Sequence, residues 1–230
     1  MPDAQSQGSA VVTGATSGVG RVLALHLASQ GMRVVGLGRD TAALAKLQER
    51  GVLAIQADVR DAGELRHAFD LAETEHGPTD LVIACAGVAA ALGPAVELDG
   101  NLGDHGTPNL SAFASAKAAI ARLSECLAAE LKEAGVHVLC VHPGFVRSRM
   151  TEALAWGEAG QRHLPGFGER AEAHWGDGRQ ASALIDAIRA GRADALAGRV
   201  LLVDDDLAVL SEEATRSPDL RKLRLSLDPA

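Results

Sequence analysis

At 230 residues and 47% hydrophobic content, the chain is long enough to bury one sizeable core, and no Pro/Ser-rich linker or repeat divides it. Its net charge of -8 is spread along the sequence, which argues against nucleic acid or an anionic membrane as the main partner. Residues 1–9 are polar and no apolar run approaches transmembrane length, so the expectation is a cytoplasmic single domain. Cys85, Cys126 and Cys140 are odd in number and lack metal-ligand spacing, so buried free thiols are expected and no metal is predicted.

Ser9-Ala10-Val11-Val12 reads as a short buried strand, and Arg21 to Ala28 has helical apolar spacing. Between them lies the turn Thr13-Gly14-Ala15-Thr16-Ser17-Gly18-Val19-Gly20. Glycines at 14, 18 and 20 allow a tight turn close to a ligand, while the first N–H groups of the helix stay unpaired. Such a helix start suits a pyrophosphate. The TGxxxGxG spacing resembles the short-chain dehydrogenase/reductase family. The resemblance implies an α/β, doubly wound parallel sheet (Rossmann fold), with Gly14, Thr16, Ser17, Gly18, Val19 and Gly20 binding a nicotinamide dinucleotide.

Gly31 ends the first helix, and residues 32–39 read as a second strand closing on Arg39-Asp40. In a Rossmann fold this strand end lies beside the adenosine ribose, where arginine suits a 2′-phosphate and an acid suits a free hydroxyl. Arg39 favours NADP(H), and neighbouring Asp40 keeps NAD(H) open. Thr41 is read as the cap of the next helix, which leads past Gly51 to a third strand, Val52 to Ala57. The resemblance places Asp58-Val59 by the adenine ring; read alone, Asp58 caps the helix over 61–75 equally well. After Gly77-Pro78 comes a fourth strand, Asp80 to Gly87. The family writes its end Asn-Ala-Gly. Here Cys85-Ala86-Gly87 keeps the glycine that clears room for the cofactor and puts a thiol where the amide stands. The alternation of strands and helices predicts a parallel sheet covered on both faces.

Between Gly87 and Ala95 only Val88 to Pro94 remain, where the family places a long helix. The fourth helix is therefore expected to be missing. Seven extended residues span about 23 Å, enough to return a short fifth strand over 95–98. Residues 106–117 look like the segment carrying the family's YxxxK, with Phe113 for tyrosine and Lys117 retained on the same helix face. The chain contains no tyrosine, so no neighbour supplies the phenol. In the family this lysine holds the nicotinamide ribose hydroxyls and lowers the tyrosine pKa; only the first role is left to Lys117. The position of the family's catalytic serine falls near Gly100, which carries no hydroxyl.

Residues 111–134 predict a long helix with apolar positions 113, 116, 120, 123, 127 and 131, ended by Gly135. A strand over 136–141 follows. His142-Pro143-Gly144-Phe145-Val146-Arg147-Ser148 then matches the family's PGxxxT loop with serine for threonine. The resemblance implies that it closes on the nicotinamide carboxamide through Val146 backbone groups and the Ser148 hydroxyl. Residues 149–178 correspond to the family's variable substrate lid, with His163 and His174 read as surface residues. A helix over 180–190, an edge strand over 198–203 and a solvated Asp204-Asp205-Asp206 strand end precede a charged, amphipathic tail.

The cofactor half of the pattern is thus retained and the acid–base half stripped. Carbonyl reduction needs a proton donor while hydride leaves the nicotinamide, and the phenol and serine that serve the family are gone. Three functions follow: an unusual oxidoreductase drawing its proton from Lys117, His105 or water; a non-catalytic, nucleotide-binding pseudoenzyme partnering an active relative; or a lyase or cyclase reusing the pocket. Relatives commonly pair through the fourth and fifth helices, so a homodimer of altered geometry, or a complex with an active relative, is expected. No substrate is legible.

Overall fold

The run Ser9–Thr13, buried at every position, forms β1, the centre of a parallel sheet. β2 (Arg33–Gly38), β3 (Leu53–Gln56) and β4 (Leu81–Ala84) complete it in the order β3-β2-β1-β4, with Val11 opposite both Val35 and Val82. The computed structural model describes residues 8–88 and 109–222. They fall into two compact units, one of residues 8–88 and 146–150, the other of residues 109–145 and 151–222.

In the first unit the crossovers are α1 (Gly18–Ser29), α2 (Thr41–Gln48) and α3 (Ala62–His76). α1 buries Gly20, Leu23, Ala24 and Leu27, one face at the i, i+3, i+4, i+7 spacing of an amphipathic helix. α3 lays Ala68 and Ala72, with Leu65 and Phe69, over Val11, Val35 and Leu37. The expected doubly wound parallel sheet is therefore present. Its strand order reverses between β1 and β4, and in such sheets the ligand crevice opens at the carboxyl ends of the strands flanking that reversal.

Asp40, not Thr41, caps α2: its carboxylate accepts from the Ala43 N–H at 3.0 Å, leaving Thr41 as the first helical residue. Asp61 caps α3 by accepting from Gly63 and Glu64, so Asp58 is free of that role.

The second unit contains α4 (Ser111–Glu130), β5 (Cys140–His142), most of α5 (Arg149–Trp156), α6 (Glu158–His163), α7 (Phe167–Glu172), α8 (Arg179–Arg189), β6 (Val200–Leu202) and α9 (Leu207–Arg216). β5 and β6 pair in parallel, over a core of Leu184, Leu196, Leu201 and Leu210. α4 gives way to a 3-10 turn at Lys132–Ala134, and Gly135 ends it in the left-handed region, φ 71°. Among the described residues no helix is long and apolar enough to cross a membrane. The missing fourth helix and the strand over 95–98 concern residues outside those described.

Three further expectations are corrected. The buried stripe of α4 is Ser111, Ala114, Ala121, Ser124 and Ala128, while Ile120 and Leu123 are 45% and 55% exposed among the described residues. Small side chains let the helix backbone lie close to its support, while Ile120 and Leu123 point outward. The cysteines are free but not buried: Cys126 is exposed, Cys85 and Cys140 half-buried. The aspartates at 204–206 are not all solvated. Asp206 caps α9, and Asp205, with only 9% of its side chain exposed, accepts from the Leu202 N–H and pairs with Arg221, both at 2.6 Å.

Asp205→Ala would leave the Leu202 N–H and the Arg221 guanidinium without their acceptor, an expected loss of about 1–3 kcal/mol in urea unfolding. Asp204→Ala, at an exposed neighbour, is expected to stay within about 0.5 kcal/mol of wild type. Equal effects would remove the structural role given to Asp205.

Candidate functional site

The turn after β1 and the end of β4 meet at the strand-order reversal. Gly14 has φ 68°, and a Cβ placed on it would lie 2.8 Å from Ala86 Cα. The Ala86 N–H donates to the Thr13 hydroxyl at 3.1 Å, tying the two strand ends together. At Gly20 a Cβ would come within 2.5 Å of the Gly14 carbonyl oxygen, so α1 starts hard against the turn that feeds it. The Cys85 Cβ would lie 3.2 Å from the same added atom, which puts the thiol-bearing residue at the floor of the turn. Ser17, at the N-cap of α1, makes no side-chain cap bond, and the first turn of α1 carries no acidic residue. The start of α1 thus presents unpaired N–H donors and its positive end to the crevice. The segment 146–150 belongs to this unit, with Val146 buried and Ser148 Cβ within 3.0 Å of a Cβ added to Gly18.

The adenosine side of such a crevice would be the neighbouring ends of β2 and β3. The Ala15 N–H donates to the Leu37 carbonyl at 3.0 Å, and the Thr16 methyl occupies the space a Cβ on Gly38 would need. The Ala57 N–H donates to the Gly38 carbonyl at 3.0 Å, setting Arg39 and Asp58 side by side at the strand ends. Arg39 Nη1 lies 3.6 Å from Asp58 Oδ2. Arg60 grips the same carboxylate with its fork, Nε to Oδ1 at 3.0 Å and Nη2 to Oδ2 at 2.6 Å. The Arg60 side-chain and backbone hydrogen bonds hold the Asp58 carboxyl well below the usual carboxylate range, so it stays ionised at neutral pH. Val59 is exposed beside it.

In the second unit Phe113 packs with Phe167 against the buried Leu110, Leu154 and Leu164. One helical turn on, Lys117 Nζ stands 5.2 Å from the centre of the Phe113 ring, a cation–π distance. Burial pushes the Cys140 thiol up, and the Lys117 charge partly opposes that. Pro143 and Gly144 follow β5; Gly144 takes φ 71° and its N–H donates to His142 Nδ1 at 3.3 Å. His174 is exposed, its Nδ1 2.8 Å from the Arg170 carbonyl oxygen, and His163 is half-buried.

Gly14, Thr16, Ser17, Gly18, Val19, Gly20, Arg39, Asp58, Val59, Cys85, Ala86, Gly87, Val146 and Ser148 therefore fall in one unit, and Phe113, Lys117, Pro143 and Gly144 in the other. Gly100 and His105 lie outside the described residues. Two contributors escaped the sequence reading. Thr13 is the strand-end hydroxyl of the glycine motif itself, and Arg60 stands in the charged run Asp58-Val59-Arg60-Asp61, whose alternating signs were the available signal.

The family described as short chain dehydrogenase matches residues 9–102 and 93–158. An uncharacterized oxidoreductase of Myxococcus xanthus is 31% identical over 186 residues, 62% of this chain and 74% of that protein. The 3-oxoacyl-[acyl-carrier-protein] reductase FabG of Staphylococcus aureus is 27% identical over 191 residues, 64% of this chain and 78% of the reductase. Among solved structures, levodione reductase superposes with a TM-score of 0.74 at 18% identity, covering 86% of this chain and 96% of its own. A variant of actinorhodin polyketide ketoreductase solved with NADPH gives 0.70 at 20% identity, over 85% and 95%.

Gly31 and Gly14 separate backbone strain from crowding, because a Cβ at Gly31 (φ 83°) meets nothing within 4 Å. Gly31→Ala is expected to cost about 1–2 kcal/mol for the left-handed conformation alone. Gly14→Ala adds about 1–3 kcal/mol of overpacking against Ala86. Urea unfolding of both variants checks the difference, and equal losses would dissolve the close approach at the crevice.

Proposed function

Because the chain belongs to the short chain dehydrogenase family, we propose that it binds a nicotinamide dinucleotide, NADP(H) in preference to NAD(H), and does not reduce ordinary aldehydes or ketones. The observation that carries the reading is the turn at Gly14 and Gly20, where no Cβ fits and an uncapped α1 faces the strand-order reversal. That cradle supplies the donors and the positive helix end that suit a pyrophosphate. Two solved neighbours, the actinorhodin polyketide ketoreductase and a blue fluorescent protein from a metagenomic library, were crystallised with NADPH, which supports the same cofactor class here.

In this reading Gly14, Thr16, Ser17, Gly18, Val19 and Gly20 take the pyrophosphate, Arg39 the 2′-phosphate, and Asp58 with Val59 the adenine. Cys85, Ala86 and Gly87 line the floor. Lys117 takes the nicotinamide ribose, and the Pro143 to Ser148 loop takes the carboxamide through Val146 and Ser148. The cofactor, when bound, supplies or accepts hydride at C4 of its nicotinamide ring. Proton delivery is what the chain withholds. Phe113 has no exchangeable proton, and its ring is committed to an apolar cluster with Leu110, Leu154, Leu164 and Phe167.

A second reading, a nucleotide-binding partner of an active relative, draws support from that same cluster. The exposed Ile120 and Leu123 on α4 give such a partner, or a second copy of the chain, an apolar face.

Cofactor choice is tested by calorimetry with NADPH and NADH on wild type and Arg39→Ala. NADPH is expected to bind more tightly to wild type, and the preference to shrink in the variant by up to about fivefold, the scale of an exposed ion pair. Equal affinities, unchanged by the substitution, would sink the Arg39 assignment.

Turnover is tested by following NADPH consumption against a panel of carbonyl compounds, with products identified by mass. Wild type is expected to show none, since losing the general acid alone removes about 10²- to 10⁴-fold. Phe113→Tyr and Gly100→Ser singly are expected to recover less than the double variant, which regains a trace. Wild-type turnover on the order of 1 to 10³ per second would overturn the reading and make His105 and Lys117 the next residues to substitute.

A further inference from the structure

Three side chains meet where β2 and β3 end, and their charges do not cancel. Asp58 Oδ2 is shared between Arg39 Nη1 at 3.6 Å and Arg60 Nη2 at 2.6 Å, so two guanidiniums face one carboxylate. Arg60 makes the closer claim. Besides its fork it donates its backbone N–H to Asp58 Oδ1 at 3.0 Å. The other nearby acids are committed to backbone donors: Asp40 to Ala43, Asp61 to Gly63 and Glu64, and Glu64 to the Asp58 N–H at 2.7 Å. Arg39 keeps 63% of its side chain exposed and touches the shared carboxylate only at the longer distance.

We propose that Arg60 is a specificity-determining residue: it takes Asp58 as its own counter-ion and thereby frees Arg39 for a phosphate on the adenosine 2′-oxygen. The proposal rests on the cofactor reading above and adds a residue to it. A carboxylate at the adenosine edge opposes a 2′-phosphate in two ways, by repelling the dianion and by holding the arginine meant to receive it. The Arg60 fork removes both, because its planar pair of donors matches the carboxylate at both oxygens and leaves little of its charge uncompensated. A free 2′-hydroxyl carries no charge and gains nothing from this neutralisation. Arg60 therefore acts on the discrimination between phosphorylated and unphosphorylated adenosine, through Asp58 and Arg39 rather than by reaching the phosphate itself.

The test uses adenosine 2′,5′-bisphosphate and 5′-AMP, which differ only at the 2′-position, in calorimetric titrations at low salt. The proteins are the wild-type full chain, Arg60→Met, Asp58→Asn and the double variant. Arg60→Met is expected to weaken the bisphosphate about three- to fivefold while AMP moves less than about twofold, the range of a solvent-exposed pair. In the double variant the competing carboxylate is gone, and the bisphosphate preference is expected to return to at least the wild-type ratio. Asp58→Asn alone is expected to raise that ratio, a result that stands even where Arg60→Met does not fold. A purely structural Arg60 would weaken both ligands together and find no rescue in Asp58→Asn; either result overturns the proposal. Failure of the cofactor reading looks different: wild type then binds neither the two adenosine ligands nor NADPH.

Discussion

The contact between the turn after β1 and the end of β4 is the constraint on which the rest of the first unit depends. β1 is central in the sheet, and the order β3-β2-β1-β4 reverses beside it, so among the described residues no crossover covers the carboxyl ends at that point. Closing the gap requires backbone against backbone. Gly14 permits it by adopting a left-handed conformation with no Cβ to strike Ala86, and the Thr13 hydroxyl fixes the approach by accepting from the Ala86 N–H. The start of α1 is set by the same contact, because Gly20 packs on the Gly14 carbonyl. Ser17 at its N-cap makes no side-chain cap bond, so the first donors remain for a ligand. The other helices led by an aspartate, α2, α3 and α9, each close their first turn with that carboxylate.

In the second unit the side chain at position 113 is a phenyl ring. Its observed apolar neighbours are Leu110, Leu154, Leu164 and Phe167. The ring packs with that cluster and turns its face to the Lys117 ammonium. The lysine is thereby held near the position its helix dictates by an interaction that moves no proton. At the level of packing, phenylalanine at this position is consistent with its surroundings.

Much of this was legible in the sequence where a residue type has one physical use. Glycines at 14 and 20 announced a turn that excludes Cβ atoms, and the alternation of short apolar runs with helical spacing announced a parallel sheet. Readings failed where two neighbours compete for one task. Thr41 and Asp40 can both cap a helix, and the stronger acceptor, one residue earlier, took the role. On α4 the heptad-like row of larger residues suggested a buried face, but Ser111, Ala114, Ala121, Ser124 and Ala128 are the residues that go inside. Periodicity identifies a stripe, whereas close approach of helix to support selects for small size. Asp205 looked solvated because its partner Arg221 lies 16 residues away, in a segment without a sequence signal.

Asp58 illustrates why a residue's place in the fold can be read from pattern while its electrostatic surroundings cannot. The pattern placed it at the end of the third strand, and the fold put it there. Its electrostatic state depends on two arginines that reach it by different routes, Arg60 through two residues of local chain and Arg39 through the pairing of β2 with β3. The local contact lies within one short turn, in which the Asp58 side chain also accepts from the Arg60 N–H. The long-range contact exists only once the Ala57 N–H has found the Gly38 carbonyl. A charge engaged locally is available to the folded site only as a neutralised one. Of the two arginines, Arg39 is therefore the one that the fold, rather than the local sequence, brings to this strand end.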